Sequence, residues 1–222
     1  DQCPLDEDGK PDFENIDALD LEHFNEQMIA LIHGEEVELP VFDFGSGRLQ
    51  SGIKTRIDEH TPIIIEGIHA LNDKLSFAIP THQKFKIYIA PQFVLNLDND
   101  NPVSLTDLRL LRRIVRDRQF RSTDAEKTIE MWSSVRRGEF EWIYPYQEGC
   151  DFVFNSSLAY ELCVIKKYAM PALAQIQSDS PHFITANRLM KTLKYFKDIP
   201  DECVPCNSLL REFIGGSCFK DV

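Results

Sequence analysis

The chain has 222 residues, with 36 acidic and 24 basic side chains and a formal net charge of −12. This balance excludes the broad basic surface of a nucleic-acid-binding protein and disfavours an anionic membrane surface as a partner. No apolar run approaches the ~20 residues needed to span a bilayer. Six scattered cysteines show no disulfide framework, which predicts a reducing, cytoplasmic setting.

The first part of the chain predicts one helix followed by extended segments. Residues 20–33 have apolar side chains at helical spacing, and Gly34 is expected to end that helix. Residues 37–44 and the segment after the glycine turn at 45–48 predict a hairpin. Further strands are predicted at 62–66, 85–89 and 151–154, the first buried on both faces of a parallel sheet.

The rest of the chain predicts helices that alternate with these strands. A capping box at 123–126 opens a helix that ends at Gly138, and Pro171 should kink or end the long helix at 157–176. Helices are also predicted at 104–119, 183–196 and 208–214. Short strands that alternate with helices predict an α/β layered domain.

Residues 109–121 contain six of the twelve arginines of this acidic chain. Clustered guanidinium groups repel one another unless an anion lies among them, and phosphate fits their planar forks. The alternative is a solvated face, or one paired with acidic neighbours. On a helix, one face contains Arg109, Arg112, Arg113 and Arg116, and the opposite, buried face contains Leu110, Leu111, Ile114 and Val115.

The apolar run before Glu66 and Gly67 has the form of a strand in a nucleotide-binding site, where a carboxylate at the tip can hold magnesium. Equally, any buried strand has to end, and acids are common in loops. The chain has no glycine-rich Lys-Ser/Thr loop, so we expect the phosphate cradle of such a fold to precede Asp1. Cys203 and Cys206 have CxxC spacing, which we interpret as a loop entering a helix.

Four segments of the chain are similar to motifs of uridine kinases and follow one another in the same order. They are residues 12–20, 41–44, 63–67 and 109–117. The chain therefore resembles the phosphoribulokinase/uridine kinase family of P-loop kinases over about residues 1–155, and its later part resembles a longer bacterial-type branch. The resemblance implies a doubly wound parallel sheet without its N-terminal part. It also implies a kinase domain at 1–178 with a helical lid at about 109–137, and a helical C-terminal extension at 179–222 packed on that domain.

The resemblance also implies roles for individual residues. Two departures concern substrate recognition, because Phe42 replaces a usual tyrosine and Gly47 stands roughly where a base-contacting histidine occurs. Arg113, Arg116 and Arg121 would be catalytic arginines of the lid. Arg112, Arg113 and Arg116 would contact ATP. The acid associated with Mg²⁺ and catalysis would be Glu66. The nucleoside pocket would include Phe13, Glu14, Phe42 and Asp43.

The implied activity is transfer of a phosphoryl group from ATP to a hydroxyl of a nucleoside such as uridine or cytidine, with Mg²⁺ as cofactor. The Walker A loop and catalytic aspartate would precede Asp1, so this chain alone is expected to be inactive. One alternative is a non-catalytic module that senses nucleotides, and another is a kinase of a different small polyol. The expected partners are ATP and the small acceptor, without nucleic acid or membrane, and homo-oligomerisation stays open.

Overall fold

The computed structural model describes residues 3–5, 9, 11–12, 14–43, 48–92 and 95–219, with backbone alone at 42–43 and 48–50. The chain forms two compact units. The first comprises Asp1–Tyr88 and Arg137–Phe152, and the second comprises Ile89–Arg136 and Val153–Val222. The division into a kinase domain at 1–178 and an extension at 179–222 stays a prediction.

The first unit opens with helix α1 (Leu21–Ile32), which confirms the first predicted helix. The side chain of Asp20 caps it by accepting a hydrogen bond from the backbone nitrogen of His23 at 3.0 Å. Gly34 follows the helix with φ of +76°, a left-handed conformation that glycine adopts without a steric cost.

The predicted hairpin is also confirmed. Strands β1 (Val37–Asp43) and β2 (Arg48–Thr55) pair in antiparallel fashion, from Val37 opposite Thr55 to Asp43 opposite Arg48. The register shifts between Leu39 and Val41, as a bulge beside Pro40 would produce.

Strands β3 (Ile87–Ala90) and β4 (Phe152–Asn155) form a second two-stranded sheet, at the places predicted from sequence. Phe152 N donates to Lys86 O at 3.1 Å and Ser156 N donates to Ala90 O at 3.0 Å. Both chains advance by four residues between these bonds, so the two strands run parallel. The chain is thus of the α/β class.

The prediction of a buried strand at 62–66 is wrong. These residues have no regular secondary structure, and the Ile64 side chain is 88% exposed. Among the residues that the structure describes, no strand pairs with this run, and both Ile64 and Ile65 are exposed while Ile63 is half-buried. Both sheets that the structure describes, β1 with β2 and β3 with β4, have two strands each.

The remaining α-helices of the described residues are α2 (Leu105–Phe120), α3 (Ala125–Glu130), α4 (Trp132–Gly138), α5 (Glu161–Leu173), α6 (Phe183–Leu193) and α7 (Arg211–Ile214). In the second unit, α2 packs against α3, α5 and α7, and α5 packs against α6. The predicted apolar face of α2 lies in this core, where Leu111 and Ile114 are fully buried against residues such as Ile165. None of the helices in the described ranges has both the length and the apolar character of a membrane span.

Three helix boundaries refine the sequence prediction. Asp124, not Thr123, caps α3, because its side chain accepts from the backbone nitrogen of Lys127 at 2.7 Å. Gly138 does not end the helical backbone, since its φ of −59° and ψ of −36° lead directly into a π-helical turn. Helix α5 does end near Pro171, two residues later at Leu173.

Candidate active site

Three arginines surround the carboxylate of Asp117 near the C-terminal end of α2. Asp117 is buried, with 1% of its side chain exposed. Its Oδ1 lies 3.3 Å from Arg116 Nη2 and 3.4 Å from Arg121 Nη1, and its Oδ2 lies 3.2 Å from Arg113 Nε. Three guanidinium charges against one carboxylate leave this cluster with a formal charge of +2 (3 − 1).

The arginines of this cluster are only partly covered. Their side chains are 23% exposed at Arg113, 26% at Arg116 and 53% at Arg121. Burial and the positive charges of Arg116 and Arg113 lower the pKa of Arg121, and the carboxylates of Asp117 and Glu212 offset part of this effect. The pKa stays lowered despite both carboxylates, so an added anion with several oxygens would relieve the repulsion between the guanidinium groups.

Arg112 lies elsewhere, and its predicted place on the exposed face of α2 is wrong. It is buried at 7% exposure, and its Nε and Nη2 donate to the two carboxylate oxygens of Glu161 at 2.7 and 3.0 Å. Its Nη2 and Nη1 also donate to the carbonyl and hydroxyl oxygens of Ser156 at 2.7 and 3.2 Å. Arg112 thus joins α2 to α5, and its donors face protein acceptors.

Sequence reasoning missed Asp117 and Glu161. Asp117 had a visible signal, because it lies four residues after Arg113 and four before Arg121, the spacing of helical ion pairs. Glu161 had none, because it is 49 residues from Arg112 in the chain.

In the first unit, Glu14 of the predicted nucleoside pocket packs against Gly138. A Cβ atom on Gly138 would lie 3.2 Å from Glu14 Cβ and 3.4 Å from Glu14 Oε2, so a larger residue at 138 would push Glu14 away by a few tenths of an ångström. Phe13 lies outside the described residues. The structure describes the backbone of Phe42 and Asp43 in β1, and their side chains lie outside it.

A buried histidine of the same unit was also missed. His69 is 5% exposed, and its ring meets the edge of the Trp142 indole with centroids 5.6 Å apart. Burial lowers the pKa of His69 while the backbone of Glu14 opposes that shift, so the imidazole is neutral near pH 7. Within the described ranges, Trp142 Nε1 makes no hydrogen bond.

Glu66 is exposed in the irregular segment at 62–66. The described part of the chain contains no group of three or more His, Cys, Asp or Glu side chains that would hold a metal ion. A single exposed carboxylate fits a magnesium ion that takes its other oxygens from phosphate and water, which is the usual arrangement with nucleotides. A single carboxylate is too few ligands for a metal site that the protein forms by itself.

Comparison with known proteins matches residues 6–161 to the model of the phosphoribulokinase/uridine kinase family. A uridine kinase of Chloroflexus aurantiacus (strain J-10-fl) is 30% identical over 152 residues, which cover 68% of this chain and 65% of that protein. A uridine kinase of Ligilactobacillus salivarius (strain UCC118) is 26% identical over 73% of this chain and 71% of that protein. A uridine kinase of Streptococcus agalactiae serotype III (strain NEM316) is 28% identical over 68% of this chain and 64% of that protein.

The chain thus spans about two thirds of the length of the relatives it matches. The match includes the Asp117 cluster, Glu66 and Glu14, and ends at Glu161, the residue that binds Arg112. This chain belongs to the phosphoribulokinase/uridine kinase family.

Proposed function

We propose that the protein to which this chain belongs transfers a phosphoryl group from ATP to a hydroxyl of a nucleoside. The observation that carries the proposal is the Asp117 cluster, in which Arg113, Arg116 and Arg121 share one carboxylate and keep an excess of positive charge. The relatives named uridine kinase support the same class of reaction. The proposal leaves out Arg112, because its donors already bind Glu161 and Ser156.

The arginines would act by positioning and by neutralising charge. Phosphoryl transfer spreads negative charge over the oxygens of the moving group, and preorganised guanidinium donors stabilise that charge. Asp117 holds Arg116 and Arg121 by hydrogen bonds and Arg113 by an ion pair before the nucleotide arrives, so little reorganisation of these side chains is needed during the reaction. Magnesium bound to the nucleotide, with Glu66 as the protein's carboxylate, would supply further neutralisation.

Glu14 is the proposed contact for the acceptor. Its carboxylate can accept hydrogen bonds from two neighbouring hydroxyl groups of a ribose, and the backbone of Gly138 supports it from one side. Phe42 and Gly47 lack the hydrogen-bonding groups typical of pyrimidine recognition, which keeps another small polyol as the second candidate acceptor.

The phosphate cradle of a P-loop kinase is not encoded in these 222 residues, which contain no glycine-rich Lys-Ser/Thr loop. We therefore propose the activity for the complete gene product, acting in the cytoplasm. The isolated chain should bind nucleotide weakly, since backbone amides of such a loop supply much of the affinity for phosphate.

The test is an acceptor screen with the complete gene product. The protein, ATP and Mg²⁺ are incubated with a panel of nucleosides and small polyols, and products are identified by mass spectrometry. A phosphorylated nucleoside supports the proposal, and product from polyols alone supports the second candidate. ATP binding that depends on Arg116, without any product, would overturn both and favour a nucleotide-sensing module.

A further inference from the structure

Two cysteines near the end of the second unit lie opposite each other. Cys218 N donates a hydrogen bond to Cys206 O at 2.9 Å, and both residues are exposed. Cys206 lies in a turn and Cys218 in a bend. With standard backbone dimensions, one such hydrogen bond keeps the two Cα atoms within about 7 Å of each other, close to the range that a disulfide spans.

The two thiols are also close to each other. Desolvation and a hydrogen bond with the thiol of Cys206 raise the pKa of Cys218. Cys218 is therefore held as a thiol near neutral pH, and its reaction should become faster as the pH rises through the alkaline range. Cys203, three residues before Cys206, is exposed as well and is the obvious competitor.

We propose that Cys206 and Cys218 form a reversible disulfide when the protein meets a small-molecule disulfide such as oxidised glutathione. The thiolate of one cysteine attacks a sulfur of the oxidant and releases one glutathione thiolate. The second cysteine then attacks the mixed disulfide and releases the other. The two protein thiols lose two protons and two electrons, and the oxidant becomes two molecules of thiol.

The disulfide would close a loop around α7, whose contacts reach the arginine helix. The ring of Phe213 lies 5.2 Å from Arg112 Cζ, and a Cβ on Gly215 would lie 3.6 Å from Gln119 Nε2. The loop also contains Glu212, whose charge acts on Arg121. Oxidation would therefore fasten both ends of the segment that covers the C-terminal part of α2.

The test uses the purified 222-residue chain in buffers of increasing ratio of oxidised to reduced glutathione, followed by alkylation, intact mass measurement and peptide mapping. The wild type and Cys203→Ser should lose two hydrogens and yield a peptide linked between positions 206 and 218. Cys206→Ser and Cys218→Ser should not form that link. The oxidised wild type should melt about 5 °C or more above the reduced form, because the closed loop restricts the unfolded chain.

Mapping of the bond to Cys203 and Cys206, or stable glutathione adducts without an internal bond, would overturn the proposal. Circular dichroism of the reduced serine variants controls for folding, and since all three cysteines are exposed these spectra should match the wild type. None of these readouts depends on kinase activity, so the outcome is independent of the proposed function.

Discussion

Asp117 binds Arg121 through both backbone and side chain. Arg121 N donates to Asp117 O at 3.0 Å, and Arg121 Nη1 donates to Asp117 Oδ1 at 3.4 Å. The carbonyl of Asp117 also accepts from Thr123 N at 3.1 Å, which fixes the chain as it leaves α2. One buried residue therefore sets both the end of the helix and the direction of its last arginine.

The first prediction concerns Asp117. Asp117→Asn keeps the shape of the side chain but removes the charge that orients the arginines, so turnover by the complete protein should fall roughly 100-fold. The KM for the acceptor should change little. Steady-state kinetics, with circular dichroism as a check on folding, measure this effect. Normal turnover by a folded Asp117→Asn protein would contradict a positioning role.

The second prediction compares two arginines of α2. Arg116→Ala should lower turnover about 1,000-fold or more, because a single arginine at the transferring phosphoryl group can contribute 10³–10⁵. The melting temperature should change by no more than about 3 °C, since the side chain is partly exposed. Arg118→Ala is the matched control, because Arg118 is exposed on the same helix. Equal losses of activity in both variants would indicate that the helix acts only through its general charge.

The third prediction concerns the buried ion pair of Arg112 and Glu161. Arg112→Ala should lower the free energy of unfolding by about 3–5 kcal/mol, because it leaves the buried carboxylate of Glu161 without its partner. Replacing both residues together, as Arg112→Met with Glu161→Leu, should restore much of that loss. Urea denaturation measures both variants. A double variant no more stable than Arg112→Ala would show that the pair itself is needed.

The fourth prediction concerns Gly138. Gly138→Ala requires Glu14 to move by a few tenths of an ångström, so the KM for the acceptor should rise several-fold while the KM for ATP stays unchanged. Gly149→Ala is the control, because a Cβ at Gly149 meets no atom within 4 Å. Unchanged acceptor kinetics in Gly138→Ala would argue against Glu14 as a substrate contact.

The fifth prediction concerns the pH dependence of Asp201. Hydrogen bonds from Lys167 Nζ, at 2.6 Å, and from the Tyr168 hydroxyl lower the pKa of Asp201 from 3.8 to about 2. Because the folded pKa lies below the unfolded value, the resulting stabilisation is complete above about pH 4 and is lost as the pH falls through about 2. Carboxyl NMR should show a midpoint near 2, and Lys167→Met should raise it. A midpoint near 3.8 in the wild type would refute the assignment.

Much of the fold followed from local patterns. Helix α1, with Asp20 before it and Gly34 after it, and the apolar face of α2 were predictable because caps and helical spacing act over a few residues. The segment at 62–66 was not, because apolarity predicts that a run should be buried but does not supply the strand that would pair with it.

The candidate site divides in the same way. The arginine cluster was visible in the sequence as a concentration of positive charge. Arg113 and Arg121 each lie four residues from Asp117, which is the spacing of ion pairs on a helix. Which arginine meets which acid was not visible for Arg112, because Glu161 reaches it only through packing of α5 against α2. The contact of Glu14 with Gly138 likewise joins residues far apart in the chain.

The burial of α2 bears on how a nucleotide would be captured. Leu111 and Ile114 on this helix are fully buried, and moving it out of the core would expose apolar surface at roughly 2 kcal/mol or more for each such side chain. Arg113 and Arg116 therefore sit on a helix that is held in the core of its unit. If they bind phosphate as proposed, rotation of their side chains would suffice, and α2 would not have to leave that core.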